Sequence, residues 1–445
     1  MNSDNSPTGG KTISSLTATC IVVANMVGTG IFTSLGFQVG GLPSGFVLMV
    51  LWAVGGVCAL CGALCYAELG AALPRSGGEY RFLGEIYHPA VGFLAGWVSA
   101  TVGFAAPVAL AAMAFGEYFA GVVPGANPLV CSVLVVLGAT LFLLRTVRLG
   151  SVFQNGTTLL KVVLILVVIV AGGVVSHGEG AGFFLPKAGD GALLTGPAFA
   201  GNLYYVMYAY SGWNASVYIV GEVRNPGRVI PLSVGLGTLF VMGLYLGVNA
   251  AFLHSTPLAE LAAAPGKIAV GLVAGPHLFG AHGTRWMAGL ICAGLVSTVS
   301  AMMWIGPRVT MAMGEDYAAL RWLAAKGAGG VPVRAVLVQL AVVVGLLVTL
   351  SFEKVLTYVQ FSLQACAFLA VLGVMVLRVR RPDLPRPYRT WGYPVTPLVF
   401  LAVCGWMLVQ IWRSSPGESA LGLGTMGLGL VIYFLAPRGG AGSMG

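Results

Sequence analysis

The first apolar segment of this chain is interrupted near its middle by the stretch VGTGIF, Val27–Phe32. A membrane-spanning helix must satisfy its own backbone N–H and C=O groups, because lipid offers them no partner. Gly28 and Gly30 flank Thr29 and favour an unwound turn, since glycine adopts backbone conformations closed to other residues. Broken backbone at membrane depth is tolerated where it lines a cavity or is buried in protein, so the stretch is a candidate ligand site. The same glycines also suit close packing against a second helix, and that alternative stays open.

Composition indicates that the chain is embedded in a membrane. Apolar residues make up 57% of the sequence and charged residues 8%, which is not typical of a soluble domain. We find twelve apolar runs long enough to cross roughly 30 Å of hydrocarbon. They lie at 14–38, 45–72, 90–120, 128–145, 153–176, 195–221, 231–254, 286–313, 333–351, 355–378, 395–413 and 420–436. The sequence therefore predicts an all-α integral membrane protein with twelve transmembrane helices.

The distribution of charge sets the expected orientation. Most of the 23 lysines and arginines fall between the runs on the side of the N-terminus, and basic loops face the cytoplasm. We therefore predict cytoplasmic tails at 1–13 and 437–445 and a location in the plasma (cell inner) membrane. The basic excess then reflects topology and contact with the lipid bilayer rather than nucleic acid. The eight cysteines lie almost entirely within apolar runs, so we expect neither a metal site nor a cofactor.

A second interruption lies in the sixth apolar run, where Tyr208–Asn214 reads YAYSGWN. Breaks in helices one and six occupy corresponding positions of two five-helix halves, at about 14–176 and 195–378. Such a pair is the sequence indicator of an inverted-repeat transporter with its binding site at the bilayer midplane. We therefore predict a transport core over 14–378, with helices eleven and twelve at 395–436 outside the repeat.

Further motifs are spread over nearly the whole chain. They are Tyr66–Gly70 (YAELG), Pro74–Tyr80 (PRSGGEY), Ala209–Trp213 (AYSGW), Gly221–Glu222, Arg224–Pro226 (RNP), Arg381–Arg389 and Gly392–Pro394. In these motifs and in their order the chain resembles the amino acid–polyamine–organocation superfamily, most of all its L-type amino acid transporter branch. The resemblance implies a LeuT-like fold and alternating-access transport of an amino acid. Helix eight departs from the more polar family pattern, because Met302–Arg308 reads MMWIGPR.

The two breaks suit the two charges of an amino acid. The second half of helix one begins near Thr29 with free N–H groups, which carry partial positive charge and favour a carboxylate. The first half of helix six ends near Tyr208–Ser211 with free carbonyls, which favour an ammonium group. Glycines at 28, 30 and 212 are expected to let a substrate approach the backbone. The predicted substrate-binding residues are Val27, Gly28, Thr29, Gly30, Ile31, Tyr208, Ala209, Ser211 and Gly212.

Side chains at the breaks have two interpretations each. The hydroxyls of Thr29 and Ser211 can contact a substrate or bond to their own backbone. By resemblance, Tyr208 matches the aromatic gate that closes over the substrate from outside, and ordinary helix packing is the alternative. By the same resemblance, Trp213 matches the tryptophan of the Ala209–Trp213 motif. It is either a second gate residue or a structural residue.

Lys161 stands in the middle of an apolar helix with no acidic neighbour. A lysine at that depth costs about 2.5–3.5 kcal/mol on insertion scales, so it is expected to face the bundle interior. Its position resembles the helix-five lysine of sodium-independent family members, where the amine takes the place of a sodium ion. The expected partners are carbonyls near Val27 or Gly28 and the hydroxyls of Ser297 or Thr298. The alternative is a lysine that snorkels to the membrane surface.

The positions of the acidic residues bear on which class of amino acid is transported. No charged side chain is evident near either break, which favours neutral amino acids; a carrier of cationic amino acids or polyamines is the alternative. Glu68 and Glu222 lie at helix ends. They are interpreted either as partners of arginines on the cytoplasmic side (Arg75, Arg224, Arg308) in a cytoplasmic gate, or as solvated charges.

We therefore predict a sodium-independent L-amino acid carrier that works as an exchanger or a proton symporter. An enzyme is not expected, because no paired carboxylates, histidines or metal ligands lie within the predicted bundle. A channel would need rings of pore-lining polar groups, and no repeated filter sequence is present. The predicted carrier is a monomer or homodimer with no obligatory partner evident.

Overall fold

The computed structural model describes residues 13–145, 150–175, 181–263, 268–327 and 331–435. Within these ranges the chain is helical and contains no named strand; the one β-bridge joins Ile13 to Val223. The α-helices are α1 Ser15–Met26, α2 Gly30–Gln38, α3 Gly45–Ala72, α4 Glu79–Ile86, α5 Pro89–Val98, α6 Ala105–Ala120, α7 Pro128–Arg145, α8 Gly150–Val174, α9 Asp190–Thr195, α10 Pro197–Ala209, α11 Pro226–Ser255, α12 Leu258–Ala262, α13 Val270–Phe279, α14 Gly283–Asp316, α15 Val333–Thr349, α16 Phe352–Arg380, α17 Val395–Ser414 and α18 Pro416–Leu435. A short π-helix at Ser99–Gly103 joins α5 to α6, and 3₁₀ segments cover Ala181–Phe184, Ala215–Glu222, Gly280–His282 and Ala318–Ala324.

Eight helical stretches of the described residues are long and apolar enough to cross a membrane. They are Ser15–Gln38, Gly45–Ala72, Pro89–Ala120, Pro226–Ser255, Val270–Asp316, Phe352–Arg380, Val395–Ser414 and Pro416–Leu435. Shorter apolar helices cover Pro128–Leu144, Thr158–Val174 and Val333–Thr349, and α10 with the following 3₁₀ segment covers the sixth predicted run. The chain is thus a multi-pass membrane protein. The count of twelve crossings, the LeuT-like arrangement and the repeat boundaries stay predictions.

The predicted break in the first segment is confirmed. α1 ends at Met26, and Val27 leaves the helix with φ −73° and ψ 90°. α2 begins at Gly30, and Thr29, the residue before it, makes no side-chain capping bond. Glycine on both sides of Thr29 thus marks a real gap between two helices.

The predicted break in the sixth segment is confirmed as well. α10 ends at Ala209, residues 210–214 form turns, and a 3₁₀ segment follows at Ala215–Glu222. Gly212 adopts φ +97°, a left-handed conformation that residues with a side chain rarely adopt. The position of this glycine therefore fixes where the segment turns.

The apolar runs in the sequence did not reveal the short helices that lie between the long ones. α4 is amphipathic and lies just before α5, while α12 and α13 lie between α11 and α14. α4 packs against α5 and α16, and it carries Glu79, which becomes important at the site. A helix of eight residues with a charged face gives no long apolar run, which is why the apolar count passed over it.

Glu68 has partners other than those predicted. Arg378 on α16 binds the Glu68 carboxylate through Nη2 at 2.6 Å and Nε at 2.9 Å. The backbone N–H and the hydroxyl of Thr390 both donate to Glu68 Oε2 at 2.7 Å, and Arg386 Nε lies 3.4 Å from Oε1. The predicted pairing of Glu68 with Arg75, Arg224 or Arg308 is therefore wrong, and so is the solvated alternative, because the Glu68 side chain is 2% exposed. The ion pair ties α3 to α16 and to the segment after α16.

Candidate functional site

The two helix breaks lie directly against each other. An ideal Cβ on Gly212 would stand 2.7 Å from the backbone oxygen of Asn25, at the end of α1. An ideal Cβ on Gly30 would stand 2.7 Å from the Cβ of Ala209, at the end of α10. Both distances are too short for a real side chain. The missing side chains of Gly30 and Gly212 therefore make room for the opposite break, as in the packing alternative, and not for a substrate.

A small chamber of about 10 Å³ lies beside the two breaks. Of the predicted binding residues it is lined by Gly28, Thr29, Gly30, Tyr208, Ala209 and Ser211. The remaining lining residues are Asn25, Met26, Pro107, Thr298 and Met302. Three predicted residues lie elsewhere: Val27 borders an apolar pocket beside Lys161, Gly212 borders a larger cavity, and Ile31 is fully buried in the core.

The N-terminal end of α2 presents unpaired polar groups to this chamber. The first backbone bond of α2 runs from Phe32 N to Thr29 O at 3.0 Å. The Thr29 hydroxyl faces that of Tyr208, yet it makes no hydrogen bond of ordinary geometry with the described residues. It is 3% exposed, and it does not bond to its own backbone. A helix N-terminus and a spare hydroxyl at one point suit an anionic group.

The C-terminal end of α10 is linked to the first break by Tyr245. The Tyr245 hydroxyl lies 2.6 Å from Met26 O and 3.1 Å from Ala209 O. Ser211 N donates to Tyr208 O at 2.9 Å. A carbonyl oxygen has two lone pairs, so Ala209 O keeps one for a further donor. Tyr208 O also receives the backbone N–H of Tyr210. Tyr245 lies on α11, where no sequence signal marked it.

Lys161 reaches inward from α8 to the first break, as predicted. Its Nζ lies 3.1 Å from Val27 O, 2.9 Å from Thr298 Oγ1 and 3.5 Å from Ala24 O. The residue is 4% exposed, so the snorkelling alternative is wrong. The expected contact with Ser297 is also wrong, because its hydroxyl makes no hydrogen bond with the described residues. The ammonium group thus ties α8 to α1 and α14.

A larger cavity of about 100 Å³ lies next to the chamber, and a carboxylate lines it. Glu79 lines it, and the Asn214 amide donates to Glu79 Oε1 at 2.8 Å. The expectation that no charged side chain lies near either break is therefore wrong. Glu79 was noted only as part of a motif, because its approach to Asn214 depends on how α4 packs. Among the described residues no group of three His, Cys, Asp or Glu side chains could hold a metal ion.

The two predicted gate residues lie in different surroundings. Tyr208 lines the chamber beside Thr29 and is 5% exposed. Trp213 packs edge-on against Tyr66, with ring centroids 4.7 Å apart, and against Phe400 at 6.3 Å. Trp213 therefore borders the larger cavity from a packed aromatic cluster and does not line the chamber. The role of Tyr208 as a gate stays a prediction.

Comparison with known proteins identifies related sequences over almost the entire chain. The family model for amino acid permeases matches residues 13–434. The mouse b(0,+)-type amino acid transporter 1 is 27% identical over 434 residues, covering 96% of this chain and 88% of the relative. The human protein of the same name is 28% identical over 430 residues, covering 93% of this chain and 85% of the relative. The rat large neutral amino acids transporter small subunit 2 is 28% identical over 448 residues, covering 96% and 80%.

The names of these relatives bear on two predictions. All of them are named as amino acid transporters or their subunits, which confirms the predicted superfamily and the assignment to transport rather than to an enzyme. The rat protein is named a small subunit, which implies a larger assembly for that protein. This does not fit the prediction of a carrier without an obligatory partner.

Proposed function

The chain belongs to the amino acid permease family, and from that premise we propose that it moves L-amino acids through the chamber between its two helix breaks by alternating access. Amino acid transport follows from the family, whereas the position of the substrate is our inference. It rests on one observation: the uncapped start of α2 and the end of α10 meet at a chamber whose lining includes Thr29, the residue just before α2.

The breaks would bind the groups that all α-amino acids share. The carboxylate would lie at the start of α2, where the N–H groups after Thr29 carry partial positive charge. The ammonium group would lie at the end of α10, against the spare lone pair of the Ala209 carbonyl. Opposed helix ends thus distinguish a zwitterion from an amine or an acid alone. Tyr208 would exclude water by closing over the bound molecule.

We propose that transport needs no sodium. The Lys161 ammonium contacts Val27 O at 3.1 Å and Thr298 Oγ1 at 2.9 Å, so a fixed positive charge already joins the first break to α14. An inorganic cation at the same point would meet electrostatic repulsion. Exchange of one amino acid for another and symport with a proton are the two coupling modes that this arrangement allows.

The main argument for a preference for neutral side chains no longer holds. It relied on the absence of a carboxylate near the breaks, and Glu79 lines the adjoining cavity. The zwitterion site itself does not depend on the side chain, so the main proposal is unaffected. The class of substrate side chain that is accepted then depends on whether Glu79 contacts that side chain.

Reconstitution of the purified chain alone into proteoliposomes tests the proposal. Vesicles loaded with unlabelled amino acids, in sodium-free buffer, are expected to take up labelled amino acid saturably, and a panel of the twenty amino acids in competition identifies the preferred one. Linear uptake, or uptake only with sodium present, would contradict a sodium-independent carrier. A change of uptake with an imposed pH gradient separates symport from exchange.

The same vesicles test whether the chain needs a second subunit, and intact cells test its orientation in the membrane. We propose that the chain lies in the plasma (cell inner) membrane, with both termini cytoplasmic. Transport by the chain alone would show that no second subunit is required, and transport that begins only after a second protein is added would establish an obligatory partner. Protease or tag accessibility in intact cells reports the side on which the termini lie.

A further inference from the structure

The helices α3 and α17 pack side by side and run in opposite directions. Thr390, just before α17, binds the Glu68 carboxylate near the end of α3. Further back on α3, an ideal Cβ on Gly62 would stand 2.5 Å from the ring of Phe400 on α17. Going back along α3 therefore corresponds to going forward along α17, and the contact of Gly62 with Phe400 fixes which residues of the two helices lie at the same level.

Two cysteines face each other one helical turn beyond that contact. Cys58 precedes Gly62 by four residues and Cys404 follows Phe400 by four, which is about one turn on each helix. The two thiols interact with each other, both cysteines are free, and they are 1% and 0% exposed. The packing of α3 against α17 thus brings together two sulfur atoms that are far apart in the sequence.

A third helix places an amide beside the two thiols. Gln364 on α16 donates from Nε2 to Cys404 Sγ, and its own Oε1 accepts from Gln360 Nε2 at 3.1 Å. Groups that bind a metal ion are usually held by such outer hydrogen bonds. Gln360 and Gln364 both line the larger cavity. The thiols are therefore buried, and one side chain separates them from a cavity through which an ion can arrive.

We propose that Cys58 and Cys404 form a binding site for a soft metal ion that takes two sulfur ligands in line, such as Cu⁺, Ag⁺ or Hg²⁺. Thiolates select soft ions, and two ligands are enough for this class, whereas structural Zn²⁺ takes four. Binding of Hg²⁺ forms two Hg–S bonds and releases the two thiol protons to solvent. The product is uncharged, so no unpaired charge is buried. The bound ion would join α3 to α17.

The test measures how much mercury the purified protein keeps against a competing thiol. The protein is loaded with HgCl2 in detergent and washed with about 1 mM β-mercaptoethanol, which removes the ion from a single thiol but not from a pair that closes the second bond within the molecule. Elemental mass spectrometry counts the metal that remains. The wild type is expected to keep about one mercury per chain and to melt about 5 °C or more above the metal-free protein.

Alanine variants identify the ligands. Cys58→Ala and Cys404→Ala should each keep about a tenth as much mercury or less, because one remaining thiol does not chelate, and metal should not raise their melting temperatures. Cys61→Ala is the matched control, since Cys61 lies three residues from Cys58 on the same helix and is its nearest alternative partner there. Cys131→Ala removes a thiol from α7. Both controls should keep as much mercury as the wild type.

Three results would overturn the proposal. A wild type that keeps no mercury against the competing thiol has no chelating pair. Mercury that is kept by Cys404→Ala but lost by Cys61→Ala would place the pair within α3 and not between two helices. Equal retention by all four variants would place the ion elsewhere. The measurement does not involve transport, so its failure leaves the proposed function in place.

Discussion

Replacing Lys161 with alanine should stop transport without unfolding the protein. A hydrogen bond to a charged group contributes about 1.5–3 kcal/mol, and the ammonium makes two at ordinary distance, to Val27 O at 3.1 Å and Thr298 Oγ1 at 2.9 Å. The link between α8 and the first break is therefore worth about 3–6 kcal/mol. Even the lower value corresponds to about a hundredfold change in the population of the correctly arranged break.

Overall stability should change much less than activity. Burying a lysine at mid-bilayer costs about 2.5–3.5 kcal/mol on insertion scales, so its removal recovers much of what the lost bonds contribute. We therefore expect Lys161→Ala to purify as a monodisperse protein whose melting temperature lies within a few degrees of wild type. Its uptake rate should fall to a tenth or less.

The assay is uptake of labelled amino acid by proteoliposomes with matched protein content. Lys161→Met keeps most of the apolar stem and separates the loss of charge from the loss of volume; it should be as inactive as Lys161→Ala. Leu160→Ala is the matched control, since Leu160 is the adjacent residue and is 42% exposed, and it should transport normally. Full uptake by Lys161→Ala would refute the argument that the ammonium holds the break in place.

Three further variants test other parts of the molecule. Gly30→Ala should lower the free energy of unfolding by about 1–3 kcal/mol through overpacking, because its Cβ would overlap Ala209. The control is Gly201→Ala, whose Cβ meets nothing within 4 Å, so it should be neutral or stabilising by up to about 1 kcal/mol. Equal melting temperatures of the two variants would count against the close contact of the breaks. Tyr208→Ala should lower uptake at least tenfold by leaving the chamber open to water, and an unchanged rate would remove Tyr208 as a gate. Arg378→Ala leaves a buried carboxylate without its bidentate partner and should cost about 3–5 kcal/mol; a melting temperature equal to wild type would contradict the burial of this ion pair.

The sequence revealed features that are local or that violate the rules of a membrane helix. Both breaks were predictable because glycine and polar residues interrupted apolar runs near Thr29 and near Gly212. Lys161 was predictable because a charge in the middle of an apolar helix must face protein. Its partners were partly predictable, since Val27 and Thr298 contact the ammonium group, whereas Ser297 does not.

The missed features depend on contacts between residues far apart in the chain. Tyr245 joins Met26 to Ala209 across two helix breaks, and nothing in the sequence around a tyrosine on α11 reveals this. Glu79 lies in a short amphipathic helix, and only the packing of α4 brings it to Asn214. The partner of Glu68 proved to be Arg378, 310 residues away, because α3 and α16 come together through tertiary packing.

The distinction between a packing glycine and a binding glycine was also out of reach from sequence. Gly28 and Gly30 both adjoin Thr29 in the motif, yet an ideal Cβ on Gly28 would come no closer than 3.4 Å to another atom. The same atom on Gly30 would overlap Ala209. The opposite break decides the difference, and its distance is a property of the folded chain.

The most direct test of the account is a structure of the protein with its transported amino acid bound. We expect the carboxylate of the ligand within hydrogen-bond distance of the N–H groups that follow Thr29, and its ammonium group at the carbonyl of Ala209. A ligand bound elsewhere, with the space between the breaks empty or filled by side chains, would contradict the central claim.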